Sequence, residues 1–362
     1  MVEIKKIFER NFEYFNSSNS NFVLNWKIER NWINILVFCF EPQCTTEFQG
    51  NLWNTLNNFQ CNGDALITIK SQTITKDCWT NIGSWNKHVT GTLKIQGIGQ
   101  VIVDGGFKIG GWTQDHENPH ILKTTIAQKI QEYGDSEDWV DDWLFESFWV
   151  NDHDTMRARA PSGWTLPTIK SVKTTGSGSF ITYTVEVPKN TMKFLKDLST
   201  DELQNVNIVI FHYWSTTRAY ISSIDSSSNT ITFTAHNVNY DNNKGIEAGK
   251  SYFYLDNVKW ALTKPGEWYL SKKGELYYYP LPGENANNIE ASASHVNRIM
   301  YIQSNDLIIE NIEFRHCGGN IPRTGATRED LLPTKKMKCV DVYQSKNVIF
   351  INCSFRHVFC RA

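Results

Sequence analysis

Apolar and polar residues alternate in short runs along most of the chain from Leu66 onward, and glycines interrupt these runs. Residues 66–75 and 91–112 show the pattern most clearly, and it is typical of short strands joined by tight turns. The apolar residues 32–40 predict a buried strand, whereas residues 4–14 have the spacing of an amphipathic helix. The pattern as a whole predicts a mainly β protein.

A repeated pattern near the end of the chain carries more information than any single strand. Residues 299–316 align without gaps on residues 340–357, at a separation of 41 residues. Seven aligned positions are identical, namely Gln303/Gln344, Ser304/Ser345, Ile308/Ile349, Asn311/Asn352, Phe314/Phe355, Arg315/Arg356 and His316/His357. The same pattern aligns on residues 95–107, with Phe107 opposite Phe314. A pattern that recurs at three places indicates a repeat architecture.

Each repeat contains a strand, a turn and a second strand that ends in an apolar Phe. One such unit cannot bury its own apolar face, so we expect the units to stack on one another. Asn311 and Asn352 occupy the same turn position, where side-chain amides are expected to hydrogen-bond along the stack. These features predict a right-handed parallel β-helix. Residues 317–338 then form a long loop on one coil, and long loops on such scaffolds often carry function.

The repeat pattern is absent between the first and second copies. This segment contains a polar, partly helical stretch at 123–133, followed by short strands separated by turn residues, which predict an inserted antiparallel β-sandwich or barrel-like domain. Its last unit, residues 265–284, predicts two aromatic strands around a Lys-Lys-Gly turn. The predicted organisation is an unassigned N-terminal segment (1–45), the first β-helix coils (46–111), the inserted domain (112–292) and further β-helix coils in an incomplete array (293–362).

Composition narrows the possible partners and cofactors. Lys plus Arg number 36 and Asp plus Glu 38, a net charge of −2, so we expect neither nucleic acid nor an anionic membrane surface as a partner. The sequence contains no run of about 18 apolar residues, so no membrane span is predicted. The eight cysteines form no CxxC pair and no Cys/His group with zinc spacing, so no metal and no cofactor is predicted. Disulfides and free buried thiols both remain open.

Several segments, taken in order, carry a family resemblance. They are VIVDGG (101–106), WVNDHDTMRARAP (149–161), HYWSTTRAYISSIDSSSNTITF (212–233), YLDNVKWALTKPGEWYLSKKGELYYYPLPGE (254–284), and NIEFRH followed by NCSFRH. Over about residues 64–362 the chain resembles right-handed parallel β-helix proteins of the pectate-lyase-like superfamily that carry an inserted β-sandwich. Glycoside hydrolases, among them β-xylosidase-like enzymes, belong to that group.

The resemblance implies a carbohydrate-active, glycoside hydrolase-like protein that acts on or binds polysaccharide or oligosaccharide. It also implies an extracellular location, although residues 1–12 lack the apolar core of a signal peptide. Such proteins usually continue through further coils that hold their catalytic carboxylates, so we expect this chain to be a fragment that is inactive alone. A polysaccharide lyase is a less favoured enzyme class. The alternative is a non-catalytic glycan-binding or surface β-helix protein.

Glycoside hydrolysis requires two carboxyl groups that flank the scissile bond. Within the repeats, Asp341 and Glu313 are the candidate catalytic residues, and Asp341 is expected to point outward from its strand. The simpler interpretation of both is a solvated carboxylate on a strand. Further polar candidates in the predicted loop are Arg323, Arg328, Glu329 and Asp330.

The recurring Arg-His pairs are the candidate substrate-binding residues. Arg315, His316, Arg356 and His357 would form a ladder along a polysaccharide groove, where Arg contacts carboxylates or hydroxyls. The alternative, which we favour, is a turn position common to every coil.

Aromatic side chains are a second group of candidates for sugar contacts. Trp268, Trp214 and Trp260 could stack on sugar rings, although packing in a core or between domains is the more common role of Trp. Asp104 precedes Gly105 and Gly106 and is interpreted as a turn residue.

Overall fold

The computed structural model describes residues 14–15, 21–28, 31–38, 40–50, 52–74, 80–81, 89–126, 145–163, 165–213, 216–237, 245–294, 298–318 and 339–358. Strands predominate among these residues, which confirms the prediction of a mainly β protein. The helices are short: α1 (Leu52–Asn57), α2 (Lys189–Met192), α3 (Thr200–Leu203) and a 3-10 helix (Lys259–Ala261). None of the helices in this part of the chain is long and apolar enough to cross a membrane.

The strands are numbered in chain order. The first group is β1 (Tyr14–Phe15), β2 (Asn21–Ile28), β3 (Asn31–Phe38), β4 (Cys44–Glu47), β5 (Ala65–Ile74), β6 (Thr80–Asn81), β7 (Leu93–Asp104), β8 (Gly106–Ile109), β9 (Thr113–Gln114) and β10 (Leu122–Thr125). The second is β11 (Phe148–Val150), β12 (His153–Asp154), β13 (Met156–Arg157), β14 (Arg159–Ala160), β15 (Ser171–Thr175), β16 (Phe180–Glu186), β17 (Asn207–Phe211), β18 (Thr216–Asp225), β19 (Thr230–His236) and β20 (Phe253–Asp256). The third is β21 (Glu267–Leu270), β22 (Glu275–Tyr278), β23 (Ala291–Ser294), β24 (Met300–Ile302), β25 (Leu307–Glu310), β26 (Glu313–Cys317), β27 (Val340–Val342), β28 (Val348–Ile351) and β29 (Ser354–Val358).

The N-terminal segment contains a small antiparallel sheet in the order β1-β2-β3. The strand predicted at residues 32–40 is confirmed as β3. Most of the helix predicted at residues 4–14 lies outside the described residues, and its last residue, Tyr14, belongs to strand β1. The helix predicted at residues 123–133 is wrong at its start, because Leu122–Thr125 forms strand β10 and pairs with β22. Its remainder from residue 127 onward lies outside the described residues.

A stack of parallel strands, called here the stack, is formed by strands from the N-terminal and the C-terminal parts of the described chain. Strand β7 pairs in parallel with β5 on one edge and with β25 and β26 on the other, and these continue to β28 and β29. The register places Ile67, Ile95, Ile309 and Phe350 beside one another in neighbouring strands. Side chains of alternate residues point to the same face of a strand. The apolar ones therefore form one continuous core, to which helix α1 adds Leu52 and Leu56.

The register of the stack tests the sequence alignment of the repeats. In β25/β28 and β26/β29 the paired residues are those predicted, such as Phe314 with Phe355. In β24/β27 the pairing is shifted by one residue, so that Met300 pairs with Val340. The alignment on residues 95–107 is wrong, since Val103, not Phe107, lies beside Phe314. A gapless alignment could not follow β7, because residues 97–101 of this continuous strand lie opposite only two residues, 311–312, in the turn between β25 and β26.

Side chains at the turns of the stack hydrogen-bond to the turn of the next unit, as predicted. Asn311 and Asn352 have the left-handed backbone conformation, with φ of 57° and 49°. Asn352 Nδ2 donates to Asn311 Oδ1 at 2.8 Å, and Asn311 Nδ2 donates to the Gly97 carbonyl at 3.4 Å. Asn is among the few non-glycine residues that adopt this conformation readily. The position therefore requires both the backbone preference and the amide of Asn.

Replacing Asn311 separates these two requirements. Asn311→Ala is expected to lower the free energy of unfolding by about 2 kcal/mol, since it loses hydrogen bonds and puts into the left-handed region a residue that adopts it less readily than Asn does. Asn311→Gly loses only the hydrogen bonds, and a loss of about 1 kcal/mol is expected. Urea unfolding of both variants measures the difference. Equal losses would mean that the left-handed conformation makes no contribution.

Residues between β8 and β23 form mainly antiparallel sheets. A seven-stranded sheet runs in the order β14-β20-β17-β18-β19-β16-β15. Strand β18 pairs with β17 in its first half and with β19 in its second, and its register shifts between Ile221 and Ser223. Such a bulge bends a strand, and side chains from both halves of the sheet share one apolar core. The predicted antiparallel strands are therefore present, while the boundaries 112 and 292 stay predictions.

A second apolar core joins this region to the stack. Strands β8 and β23 pair antiparallel where the chain leaves and re-enters the stack, and β23 also pairs with β11. The hairpin β21–β22 packs here as well, with Trp268 opposite Tyr278 across a turn that contains Lys272–Gly274. The predicted pair of aromatic strands is thus confirmed.

A buried group of four charged side chains lies near this second core. Arg218 Nε is 2.8 Å from Glu146 Oε1, and its Nη2 also bonds Asp256. Arg157 Nη1 lies 3.3 Å from Glu146 and 3.5 Å from Asp256. All four side chains are between 3% and 7% exposed. Burial would lower the pKa of Arg218, but Asp256 and Glu146 outweigh this and raise it. The group, called here the ionic cluster, links strands β13, β18 and β20.

Candidate functional site

The candidate site lies where the hairpin β11–β12 meets the turns of the stack. Asn151 and Asp152 form the two-residue turn of this hairpin and have φ of 48° and 63°. Positive φ at both central residues is typical of the type I′ turn, which suits the twist of a hairpin and favours Asn and Asp. Asn151 Nδ2 donates to Glu284 Oε1, and Asn151 Oδ1 accepts from the Glu290 N–H. The turn is therefore held in place from both sides.

Asp104, Arg315 and His316 form the first part of the site. Arg315 lies beside Asp104 in the parallel register of β26 and β7. Arg315 Nε donates to Asp104 Oδ2 at 3.0 Å, and His316 Nδ1 donates to Asp104 Oδ1 at 2.8 Å. Asp104 Oδ1 also accepts from the Gly106 N–H, but Asp104 is the last residue of strand β7 and not a turn residue as interpreted from the sequence. Burial alone would raise the pKa of Asp104, but the hydrogen bonds from His316 and Gly106 outweigh it, and the pKa lies below its usual value.

The second part of the site connects the hairpin turn to the next unit of the stack. His357 faces a carboxylate at both ring nitrogens: Nε2 is 2.8 Å from Asp152 Oδ1, and Nδ1 is 3.2 Å from Asp154 Oδ1. Arg356 donates to Asp152 Oδ2. Trp149 Nε1 donates to Asp154 Oδ1 at 2.9 Å. Burial would raise the pKa of Asp152, but the hydrogen bonds from His357 and Arg356 outweigh it and lower that pKa.

Stacked rings join the two parts. The imidazoles of His316 and His357 lie 5.3 Å apart and nearly parallel, at 15°. The Trp149 ring lies 4.8 Å from His316 and 5.9 Å from His357. Asp152, His316 and His357 each offer one ligand atom within 4.8 Å of the others. Among the described residues these three are therefore the ones that could hold a metal ion.

The Arg-His pairs combine the two interpretations that the sequence left open. His316 and His357 have φ of 57° and 51° and occupy equivalent positions in both units, but they lie within strands β26 and β29 and not in a turn as favoured. His316 is buried, whereas the Arg356 side chain is 47% exposed. Sequence reasoning missed Asp152 and Asp154, which lie about 200 residues before their partners. The one available signal was Asn-Asp between the short strands of residues 148–154.

The two candidate catalytic carboxylates lie in different surroundings. Asp341 is not the solvated, outward carboxylate expected, because it is only 2% exposed and lies 3.6 Å from Arg298 Nη1. Val340 packs against the core of the stack, and Asp341 alternates with it on a covered face. Glu313 is 19% exposed and lies 3.8 Å from Arg315 Nη1, next to the first part of the site. A catalytic role for either residue stays a prediction.

The tryptophan candidates also differ. Trp268 is 1% exposed and packs on Phe145 and Phe148, with ring distances of 5.3 and 5.6 Å, so it cannot stack on a sugar as predicted. Trp260 is 45% exposed, stacks on Phe194 at 4.9 Å, and lines a cavity of about 570 Å³. Trp214 and the loop residues Arg323, Arg328, Glu329 and Asp330 lie outside the described residues.

Comparisons with known proteins concern both the sequence and the fold. Residues 135–281 match the GH141 insertion domain. A solved structure described as a glycoside hydrolase has a similar fold, with a TM-score of 0.53 and 17% identity, covering 74% of this chain and 46% of that one. The complex structure of XylC with xylose covers 74% of this chain and 32% of that one, with a TM-score of 0.31 and 8% identity. We base no conclusion on this more distant likeness. No curated protein sequence matches the chain.

Each comparison covers only part of a protein. The matched segment 135–281 lies within residues 112–292, the predicted insert. The chain spans less than half of the length of the glycoside hydrolase with the similar fold. At 17% identity, that likeness concerns the fold alone.

Proposed function

We propose that this chain is part of a carbohydrate-active, glycoside hydrolase-like protein that acts on polysaccharide or oligosaccharide. The match of residues 135–281 to the GH141 insertion domain carries this proposal. We further infer that the stack is a segment of a right-handed parallel β-helix of the pectate-lyase-like kind. The parallel register of β5, β7, β25 and β28 supports that inference.

The surface around the hairpin turn is the glycan-binding site in this proposal. Arg356 and Asp152 are about half exposed, and the Asp154 side chain is 83% exposed. Carboxylates accept and guanidinium groups donate hydrogen bonds, so such a surface can bind the hydroxyl groups of a sugar. Glu313 is the better placed candidate acid, because Asp341 is buried beside Arg298.

An extracellular location is part of the same proposal. Cys44 and Cys61 form a disulfide between β4 and the segment before β5. Disulfides persist mainly in oxidising compartments such as the extracellular space, and polysaccharide substrates are also found there. Cys317 and Cys339 are buried.

The test is to incubate the purified chain with xylan, pectin and galactan and to measure both binding and the release of reducing sugar. We expect one of these polysaccharides to retard the chain in affinity electrophoresis. Arg356→Ala should weaken binding about tenfold, because a charged hydrogen bond contributes roughly 1.5–3 kcal/mol. Lys70→Ala, an exposed residue of the stack that pairs with Glu47, is the matched control and should bind normally. Absence of both binding and release would contradict the proposal.

Release of reducing sugar distinguishes an enzyme from a binding protein. If sugar is released and Glu313→Gln abolishes the release while binding is kept, Glu313 acts as a catalytic acid or base. Release at the normal rate by this variant would remove Glu313 as a candidate.

A non-catalytic glycan-binding protein is the second candidate function, and Trp260 favours it. The Trp260 Nε1 donates to the Phe194 carbonyl at 3.1 Å and one ring face rests on Phe194, so the exposed indole is fixed in orientation. A fixed, exposed aromatic ring suits stacking on a sugar. On this alternative, Trp260→Ala abolishes binding, Arg356→Ala does not, and no sugar is released.

A further inference from the structure

Three side chains with metal-ligating atoms converge between the hairpin turn and two neighbouring strands of the stack, β26 and β29. They are Asp152, His316 and His357, whose ligand atoms all lie within 4.8 Å of one another. His316 is buried, and the His357 side chain is 10% exposed. The histidines are held at this distance because they occupy equivalent positions in these two paired strands.

Both histidines are oriented by carboxylates on the far side of the ring. His316 Nδ1 bonds Asp104 at 2.8 Å, and His357 Nδ1 lies 3.2 Å from Asp154. Asp154 is itself held by Trp149 Nε1. Histidines that bind a metal almost always donate their other ring nitrogen to such a partner, which fixes the tautomer and the ring. The Nε2 atoms of both rings are therefore the ones on the side of the candidate ligand site, where His357 Nε2 already contacts Asp152 Oδ1 at 2.8 Å.

We propose that His316, His357 and Asp152 form a Zn²⁺ site that ties the hairpin turn to two successive units of the stack. Two imidazoles and one carboxylate, with water as the fourth ligand, are a donor set that Zn²⁺ accepts. Tetrahedral bonds of about 2.0–2.2 Å place the ligand atoms about 3.4 Å apart, so the present separations must contract. Asp152 lies at an exposed turn, where a shift of this size is possible.

The charges around the site favour a cation. Asp104, Asp152 and Asp154 contribute three negative charges, and Arg315 and Arg356 two positive ones, so with neutral imidazoles the group carries −1. Arg356 bonds Oδ2 of Asp152 and leaves Oδ1 to His357 Nε2.

The test uses the full chain after removal of metal with EDTA. Isothermal titration with ZnCl₂ is expected to show one Zn²⁺ per chain, and the thermal midpoint should rise with Zn²⁺ because the ion binds the folded state. Asp152→Ala and His357→Ala should each abolish saturable binding and the rise in midpoint. Asp154→Asn removes only an orienting carboxylate, and a loss of about 10–100-fold in affinity is expected.

His153→Ala is the matched control, since His153 is exposed in the same hairpin and lies outside the cluster. This variant should bind Zn²⁺ like the unmodified chain. The proposal is overturned if the unmodified chain binds no stoichiometric Zn²⁺, or if folded Asp152→Ala and His357→Ala keep its affinity, which would place the ion elsewhere, for example on cysteines. The site does not rest on the proposed function, because no glycan enters the measurement.

Discussion

Asp256→Ala is expected to lower the free energy of unfolding by about 3–5 kcal/mol, because it leaves two buried guanidinium groups with a single carboxylate, that of Glu146. Asp256 contacts both Arg157 and Arg218 within the ionic cluster. The loss of one carboxylate changes a balanced group of two acids and two bases into one with excess positive charge. Urea unfolding followed by circular dichroism measures the difference.

Asp201→Ala provides the matched control for this change. Asp201 pairs with Lys273 at 2.9 Å, but the two side chains are 72% and 73% exposed. Exposed ion pairs contribute only about 0–1 kcal/mol, so little loss is expected. If the two variants were equally stable, the ionic cluster would not support the fold in the way its burial indicates.

Trp268→Ala is expected to cost about 3–5 kcal/mol, the usual range for removing a large aromatic side chain from a core. Trp268 packs between Phe145 and Phe148, and the Arg157 guanidinium lies 5.3 Å from its ring. The change therefore leaves a cavity where the second core meets the ionic cluster. Thermal and urea unfolding both report the loss.

The same position decides between packing and sugar stacking. Trp268→Phe fills most of the space and should recover much of the stability, with glycan binding unchanged. Tyr252→Ala, at a side chain that is 54% exposed, is the control and should cost less than about 1 kcal/mol. A stable Trp268→Ala variant that had lost glycan binding would contradict the core role.

The local sequence pattern predicted where the strands of the repeats lie better than it predicted which strands pair with one another. Phe314 and Phe355 were aligned correctly because each is the second residue of the strand that follows the same short turn, although neither ends that strand as expected. Val103 was missed as the residue beside Phe314. Strand β7 has no such turn, so an alignment without gaps assigns the wrong residue of β7 to this position. Register in a parallel stack depends on which turns lie next to each other, and those contacts join residues far apart in the chain.

Only some of the residues of the candidate site could be predicted from the sequence. Arg315, His316, Arg356 and His357 repeat at equal spacing, which makes them visible in the sequence. Asp152 and Asp154 belong to no repeat, and nothing local shows that their hairpin contacts the stack. Burial was equally hidden for Asp341, since an alternating strand predicts which face a side chain occupies and not what covers that face.

The sequence by itself determined the β-rich class, the repeat and the turn positions of Asn311 and Asn352. These depend on periodicity and on the conformational preferences of Asn and Gly, which act within a few residues. Only the tertiary structure decided that His316 and His357 meet Asp152, that Asp341 and Trp268 are buried, and that four charges share one interior. Those outcomes depend on contacts between segments that are distant in the chain. Such contacts form, and contribute free energy, only when the segments pack together in the folded protein.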